Sequence, residues 1–424
     1  LIKSLKLNDI MRKPVLTIFY QFNPWQSSIG GIQTIVCSFL KYASEDFEVR
    51  LVGTGEPGCT LGAWQETEFA GKAIKFMPII ALDDDNIRTP IPTTLRYTAA
   101  LFGRRGLASD FMHFHRLEPT AATLNWSGHK SLFIHNDIKR QMDAAKGNKA
   151  ILWQRFPFAY FALEGFLLKQ FDRIFSCNSE SSKFYQQRYP ALADRVSYIK
   201  NTVDTEIFYP LTPTAKEAQR QQLAQQLGVA EDTRFLLFAG RLHPQKDPLL
   251  LIDAFALLVK EEENAKLHLL IAGEGELSEK LRNSINNYGI NQKVTMLGAI
   301  GQKRLADLHR ISSVFVLTSV FEGLPLTILE ALACGTPAVS TNCGETPQFL
   351  SAQSGAIAEP RTPAAIAAAT RQILTNPEAY PPSACTRTAQ PYEARTVVTQ
   401  VYRNMMNVWE ERINSHHHHL FHQQ

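Results

Sequence analysis

The chain has 424 residues, 45% of them hydrophobic and 20% charged, the make-up of an ordinary globular protein. That length predicts two domains, or three, and a formal net charge of only +4 gives no case for a nucleic-acid partner. The charge is uneven: residues 1–205 carry 25 Lys/Arg against 19 Asp/Glu. A basic first half suits an anionic substrate or a membrane surface, and plain solvation explains it as well. The six cysteines form no metal-spacing cluster such as C-x-x-C. Cys37, Cys177 and Cys334 lie in apolar contexts and read as small buried thiols, which points to a reducing, cytoplasmic compartment. The first ten residues alternate basic and apolar without the apolar core of a signal peptide. The densest apolar run, residues 156–168, is broken by Pro157, Glu164 and Gly165 and is too short to span a bilayer.

After a polar lead, Pro14-Val-Leu-Thr-Ile-Phe-Tyr20 reads as a buried strand and residues 32–42 as a helix. The loop between them ends in Gly30-Gly31. Paired glycines ahead of a helix let the backbone approach a phosphate, although a tight turn explains them equally. They do not form the dinucleotide G-x-G-x-x-G fingerprint. Residues 47–52 are a second strand. Residues 53–106 read as irregular, and Asp83-Asp84-Asp85 within them as a solvated run rather than a Mg²⁺ site. Phe111-Met-His-Phe-His115 and Lys130-Ser-Leu-Phe-Ile-His-Asn-Asp137 read as strands with His115 and His135 at their C-terminal ends. In open α/β sheets the ligand crevice lies beyond such ends; a structural hydrogen bond is the alternative for each ring. An apolar helix, about 151–170, leads to the strand Arg173–Ser176 and to Cys177-Asn-Ser-Glu-Ser-Ser182, a helix cap.

Residues 210–232, rich in Pro, Ala and Gln, read as a linker and a surface helix. A second series of α/β units opens with Phe235-Leu-Leu-Phe-Ala-Gly240, runs into Arg241-Leu-His-Pro-Gln-Lys246, and continues as a helix near 248–261. Leu267-His-Leu-Leu-Ile-Ala272 ends at Gly273-Glu-Gly275. Helix 277–287, strand 294–297, helix 302–310 and strand Val314–Leu317 follow. Next comes Ser319-Val-Phe-Glu-Gly-Leu-Pro-Leu-Thr-Ile-Leu-Glu-Ala-Leu-Ala-Cys-Gly-Thr-Pro337. Pro325 is expected at the first turn of its helix and Gly335 at its close. Residues 338–341 make another strand, 342–347 a turn, and 363–374 and 392–413 helices. The histidine-rich tail from Ser415 reads as a loose end or a cloning remnant rather than a metal site. Strands alternating with helices in both halves predict two parallel-sheet domains.

A helix start just beyond a strand end favours an anion. Arg241 and Lys246 leave another strand end, where two cations facing such a helix would neutralise a diphosphate. Glu322 precedes the helix and Glu330 lies inside it. Eight residues of helix rise would part them by roughly 12 Å, too far for two carboxylates acting on one glycosidic bond, which stand about 5 to 9.5 Å apart. The spacing suits one extended ligand with an anionic middle.

Phe238-Ala-Gly-Arg-Leu242 with Lys246, Gly273-Glu-Gly275, and Phe321-Glu-Gly-Leu-Pro325 running on to Glu330 resemble glycosyltransferase family 4, retaining enzymes of the GT-B fold. The likeness is continuous from about residue 198 to 360. It is thinner before that, in Gly30-Gly31, His113-Phe-His115, Ile134-His135 and Asn178-Ser179. It implies an α/β GT-B fold: two Rossmann-like parallel-sheet domains facing across a cleft. These would be 12–205 on the acceptor side and 206–390 binding the nucleotide sugar, with a C-terminal helix, 391–414, crossing back to the first.

The resemblance also implies roles. Arg241 and Lys246 would bind the donor diphosphate and stabilise the leaving nucleotide. Glu322 would contact the sugar hydroxyls and face the reacting carbon, and Glu330 would hold the ribose hydroxyls. Gly323 and Leu324, with Thr327 nearby, would approach sugar and phosphate; Gly240 counts with the substrate-binding positions. Gly30 and Gly31 would let the N-terminal loop close over the diphosphate, and His115 would contact the sugar. The base would lie near Gly273, Leu297 and Ile300. Such enzymes keep the anomeric configuration, with a donor phosphate oxygen taking the acceptor proton and neither metal nor other cofactor implied.

The expected activity is therefore hexosyl transfer from a GDP- or UDP-linked sugar to a glycan or lipid-linked acceptor. The expected place is the cytoplasm, with peripheral contact at the inner face of the membrane as an option. Two other classes compete. A non-catalytic GT-B partner subunit is opposed by the intact set Arg241, Lys246, Glu322 and Glu330. A nucleotide-sugar epimerase would change a donor without any acceptor. Two stretches depart from the family pattern: Asn201-Thr-Val-Asp204 replaces Asn-Gly-Val-Asp, and Cys343-Gly-Glu-Thr-Pro347 replaces a Gly-Gly-rich turn, which leaves sugar selectivity open.

Overall fold

A computed structural model describes residues 12–26, 30–83, 91–135, 157–262 and 265–421. Two of the three acidic residues at 83–85, and residues 151–156 of the expected apolar helix, lie outside these. The chain divides into two units, Leu1–Ile199 with Ala394–Gln424, and Lys200–Glu393.

In unit 1, β1 (Val15–Phe19), β2 (Glu48–Gly55), β3 (Gln65–Phe69), β4 (Lys72–Ala81), β5 (Phe111–Phe114), β6 (His129–Ile134), β7 (Arg173–Ser176) and β8 (Val196–Tyr198) form one sheet. Its order is β3-β4-β2-β1-β5-β6-β7-β8. All pairs are parallel except β3 with β4. Parallel strands are buried on both faces, and successive side chains of a strand point to opposite faces. Leu16 and Ile18 accordingly pack with α1 (Gly31–Lys41), whereas Phe19 packs with α2 (Thr93–Leu101) and the helices α3 (Pro157–Leu168) and α4 (Ser179–Arg188).

Residues 53–106 are thus not irregular. β3 and β4 make a hairpin about Ala70 and Gly71, both at positive φ (50° and 79°), and α2 follows. β3 is hard to see because Gln65-Glu-Thr-Glu-Phe69 is a polar edge strand. β4 is hard to see because Pro78 interrupts it. That proline stands beside a break in the ladder, where sheets tolerate proline: Gly53 pairs with Pro78 and Thr54 with Ile80, and Ile79 is skipped.

In unit 2, β9 (Arg234–Ala239), β10 (Leu267–Ala272), β11 (Val294–Gly298), β12 (Val314–Leu317), β13 (Ala338–Thr341) and β14 (Gly355–Ala358) form an all-parallel sheet ordered β11-β10-β9-β12-β13-β14. The helices are α5 (Pro213–Leu227), α6 (Pro248–Glu261), α7 (Ser278–Asn287), α8 (Gln302–Ile311), α9 (Leu326–Ala333), α10 (Thr346–Phe349), α11 (Pro363–Thr375) and α12 (Pro382–Ala389). Leu236 and Phe238 of β9 pack with α6, α7 and α11; Phe235, Leu237 and Ala239 pack with α5, α8, α9 and α12. Two elements here carry little sequence signal. β14 is only Gly-Ala-Ile-Ala, and α12 opens on Pro382 with Pro381 as its cap.

The last helix, α13 (Ala394–Phe421), belongs to unit 1. Ala394, Val398, Val401, Tyr402 and Met405 recur at helical spacing and are buried with Phe39 and Leu40 of α1. Tyr402 Oη donates to Phe39 O at 3.0 Å. Where a loose histidine-rich end was expected, the backbone stays helical through Phe421; no glycine or proline intervenes. Among the described residues no helix is long and apolar enough to cross a membrane.

Candidate active site

The strand order of unit 2 reverses between β9 and β12, the place where an open α/β sheet leaves a ligand crevice beyond its carboxyl ends. Arg241 and Lys246 follow β9; Glu322, Gly323 and Leu324 follow β12. Lys246 Nζ donates to Glu322 Oε1 at 2.5 Å, and Ser319 Oγ donates to the same oxygen at 2.6 Å. Glu322 is 8% exposed, so these charge-assisted bonds form largely out of water. The two loops are fastened to each other. Thr318 Oγ1 donates to the carbonyls of Lys246 and Asp247 at 3.0 and 2.9 Å, and the Val320 N–H donates to Gln245 O at 2.8 Å. Asp247, in the left-handed region, caps α6 through the Leu250 N–H and pairs with Arg361. Lys246 is therefore held ready before any ligand arrives. Arg241 is exposed, and its guanidinium makes no hydrogen bond or ion pair among the described residues.

α9 starts at Leu326, with Pro325 as its cap residue rather than in its first turn. The carbonyls before it are already engaged: the Glu345 N–H donates to Gly323 O at 3.0 Å and Asn201 Nδ2 to Leu324 O at 3.0 Å. That leaves the N–H ends of Gly323, Leu324, Leu326 and Thr327 as the groups to offer an anion. Thr327 Oγ1 is buried without a partner among the described residues. The helix closes as expected: the Gly335 N–H (φ 76°) donates to Leu332 O and the Thr336 N–H to Ala331 O.

Glu330, 6% exposed, lies inside α9. Its Oε2 has no hydrogen bond among the described residues and stands 3.9 Å from His309 Nε2, which has none either. Burial pushes Glu330 up to about 7, with Lys246 pulling it back. Burial, helped by Arg310, drives His309 down to about 3, so that ring is neutral. A buried carboxyl oxygen without a hydrogen-bond partner is costly and marks a place that a ligand can complete. The expected 12 Å separation from Glu322 presumed unbroken helix; the chain turns through Gly323 to Pro325 first, so helix rise does not measure it.

At the far strand ends, the Gly273 N–H donates to Gly298 O at 2.8 Å and the Gly240 N–H to Ala272 O at 2.9 Å. Leu297 and Ile300 are half-buried against the core. Gly273 has φ 140°, and a Cβ there would stand 1.9 Å from Gly240 O. Gly273→Ala is expected to cost about 2–4 kcal/mol through strain and overpacking, read as a lower midpoint in urea unfolding.

In unit 1 the strand order reverses between β1 and β5. The loop after β1 ends at Gly30, the cap residue of α1, with Gly31 as its first helical residue; Gly30 O accepts the Thr34 N–H at 2.9 Å. His115 follows β5 directly and is 2% exposed. Its Nδ1 lies 3.0 Å from Nε2 of His135, the residue after β6. His113, buried with neither ring nitrogen bonded among the described residues, sits among Phe39 and Phe133 and is a core residue. Among the described residues no group of three or more His, Cys, Asp or Glu is placed to hold a metal ion.

Residues 219–388 match a family model described as Glycosyl transferases group 1. This segment is a group 1 glycosyltransferase domain. D-inositol 3-phosphate glycosyltransferase of Streptomyces coelicolor is 29% identical over 265 residues, 58% of this chain and 58% of that protein. The chain thus spans little more than half the length of such curated relatives. Sucrose-phosphate synthase from Thermosynechococcus elongatus superposes with a TM-score of 0.73 at 17% identity, covering 94% of this chain and all of that one. Anabaena HepE in complex with UDP-glucose does so with 0.67 at 17% identity, covering 93% and 100%. These likenesses show the fold, GT-B, built from two parallel-sheet α/β units.

The group 1 domain contains Arg241, Lys246, Gly273, Glu322 and Glu330. Gly30, Gly31 and His115 lie outside the matched segment. Two residues of the unit 2 site escape a sequence reading: Ser319, which shares Glu322 with Lys246, and Asn201, which holds Leu324. Asn201 was visible as part of a motif, but its partner lies 123 positions away.

Proposed function

We propose that the protein is a retaining glycosyltransferase that moves a hexose from a nucleotide diphosphate sugar to a glycan or lipid-linked acceptor. The observation that carries this is the Lys246–Glu322–Ser319 cluster at the switch point of unit 2, beside the unengaged N–H groups that open α9. Arg241, Lys246 and those N–H groups would meet the diphosphate, so that charge developing on the leaving nucleotide is balanced by the protein itself. Glu322 would hold the sugar hydroxyls and face the reacting carbon, Glu330 would accept the ribose hydroxyls, and His115 would meet the sugar. A phosphate oxygen of the donor would take the acceptor proton as the new bond forms on the face the nucleotide leaves. The structure of HepE with UDP-glucose, a protein of the same fold, supports a nucleotide sugar as donor.

A thermal-shift panel of GDP-, UDP- and ADP-sugars tests this. A bound donor at about 100 times its Kd adds about 2.7 kcal/mol, roughly 5–10 °C for a unit of this size. The best binder should be hydrolysed slowly without an acceptor, and Arg241→Ala should lose most of the shift. No shift with any sugar nucleotide, or an equal shift in Arg241→Ala, would remove the assignment.

A further inference from the structure

Three neighbouring parallel strands of unit 1 each run out into a side chain on the same face of the sheet, and the three form a row of contacts. His115 follows β5, His135 follows β6 and Cys177 follows β7, with Phe114 paired to Leu132 and Ile134 to Ser176. The row is bonded end to end. His115 Nδ1 is 3.0 Å from His135 Nε2, and His135 Nδ1 is 3.7 Å from Cys177 Sγ, a distance suited to sulfur. The two imidazole planes lie within 13° of each other with centroids 5.2 Å apart, the near-coplanar setting that an N–H···N bond needs. Phe133 stacks on His115 at 4.8 Å and 11° and fixes its plane. His115 Nε2, at the other end of the row, is buried and has no hydrogen-bond partner among the described residues.

The direction of the proton in this row is decided by chemistry. Burial, then the neighbouring His135 and His113, keeps His115 well below its usual value; burial and Arg116 bring His135 to about 3. Both rings are neutral, each with one donor and one acceptor nitrogen. Burial pushes the Cys177 thiol up to about 12, so it keeps its proton. A thiol sulfur is a weak acceptor and a bare imidazole nitrogen a strong one. The S–H therefore donates to His135 Nδ1, His135 carries its proton on Nε2 and donates to His115 Nδ1, and His115 is left with its proton on Nε2.

We propose that His135 and Cys177 are positioning residues that fix His115 as its Nε2–H tautomer, a hydrogen-bond donor for a ligand hydroxyl oxygen. Resting on the reading that His115 meets the donor sugar, this makes the ring a donor that orients that sugar. It does not make it a base for the acceptor.

Two-bond proton–nitrogen correlation spectra of the full chain with ¹⁵N-histidine test the tautomer directly, with His115 assigned by the signals that vanish in His115→Gln. The wild-type protein should show His115 protonated at Nε2 and bare at Nδ1. His135→Gln, whose amide N–H replaces the lost donor, should preserve that pattern and keep kcat within about threefold. His135→Phe should leave His115 in mixed tautomers and lower kcat about tenfold. Cys177→Ala, which frees His135 to turn its proton either way, should mix the tautomers too, and it serves should the phenylalanine variant fail to fold. A wild-type His115 protonated at Nδ1 overturns the proposal, whatever the turnover. An Nε2–H His115 in a protein whose His115→Ala variant transfers sugar at the wild-type rate upholds the tautomer and sinks instead the contact with the sugar.

Discussion

Replacing Glu322 by alanine is expected to lower transfer about 1,000-fold while nucleotide affinity stays within about threefold, by kcat and by calorimetric titration with the nucleoside diphosphate. The split follows from what Glu322 touches. Its carboxylate faces Lys246 and Ser319 and would face the sugar; the diphosphate would be met by Lys246, Arg241 and the α9 N–H groups, all of which remain. Alanine also strips Lys246 of its partner. Breaking a buried pair costs about 3–5 kcal/mol, and the 21% exposure of the Lys246 side chain lowers that figure through solvent screening. Glu322→Gln separates the two effects. An amide oxygen still accepts from Lys246 and Ser319, so the loop stays in place while the charge disappears, and kcat should fall about 100-fold with little loss of stability. Wild-type turnover in both variants would take Glu322 out of the reaction.

The parts of this site that a sequence shows are those written locally. β12 is wholly apolar, β9 is so after Arg234 and β10 but for His268, because a parallel strand is covered on both faces, so their ends, and with them Arg241, Gly273 and Glu322, are legible in the sequence. α9 shows its close through Gly335, but its start slipped by a residue because Pro325 serves as well before a helix as inside its first turn. What stays hidden is polar and distant in sequence. Asn201 holds Leu324 across 123 positions, and His115 meets His135 only because β5 and β6 are neighbours in the sheet. The β3–β4 hairpin was missed for another reason: its outer strand is polar, and Pro78 contradicts strand character unless the skipped rung beside it is known.

Glu330→Gln is expected to make the free protein more stable and the nucleotide complex weaker. In the folded protein burial holds the carboxyl at about 7, against an ordinary 4.5. Between those two values the native state keeps a proton that the unfolded chain releases, so this group's contribution to stability falls as pH rises from about 4.5 to 7 and is level above. The whole loss is about 3 kcal/mol. Glutamine resembles the protonated form at every pH. The variant should therefore match wild type near pH 4 and exceed it by up to about 3 kcal/mol at pH 8, by urea unfolding. The comparison of the two proteins isolates the carboxyl: neutral His309 gives an opposite slope below pH 6.5 that both share, burial pushes the Cys334 thiol up to about 12, and Lys246 opposes the shift without cancelling it. Binding should run the other way. Two ribose hydroxyls need an acceptor-only carboxylate, so wild-type affinity for the nucleotide should rise between pH 6 and 8. Loss of hydrogen bonds to a charged group, about 1.5–3 kcal/mol, should weaken Glu330→Gln roughly 10- to 150-fold at pH 8. A variant no more stable than wild type at pH 8 would mean that the carboxyl is not strained by burial. A variant that is more stable yet binds nucleotide as wild type does would leave the strain intact and give the ribose a different partner.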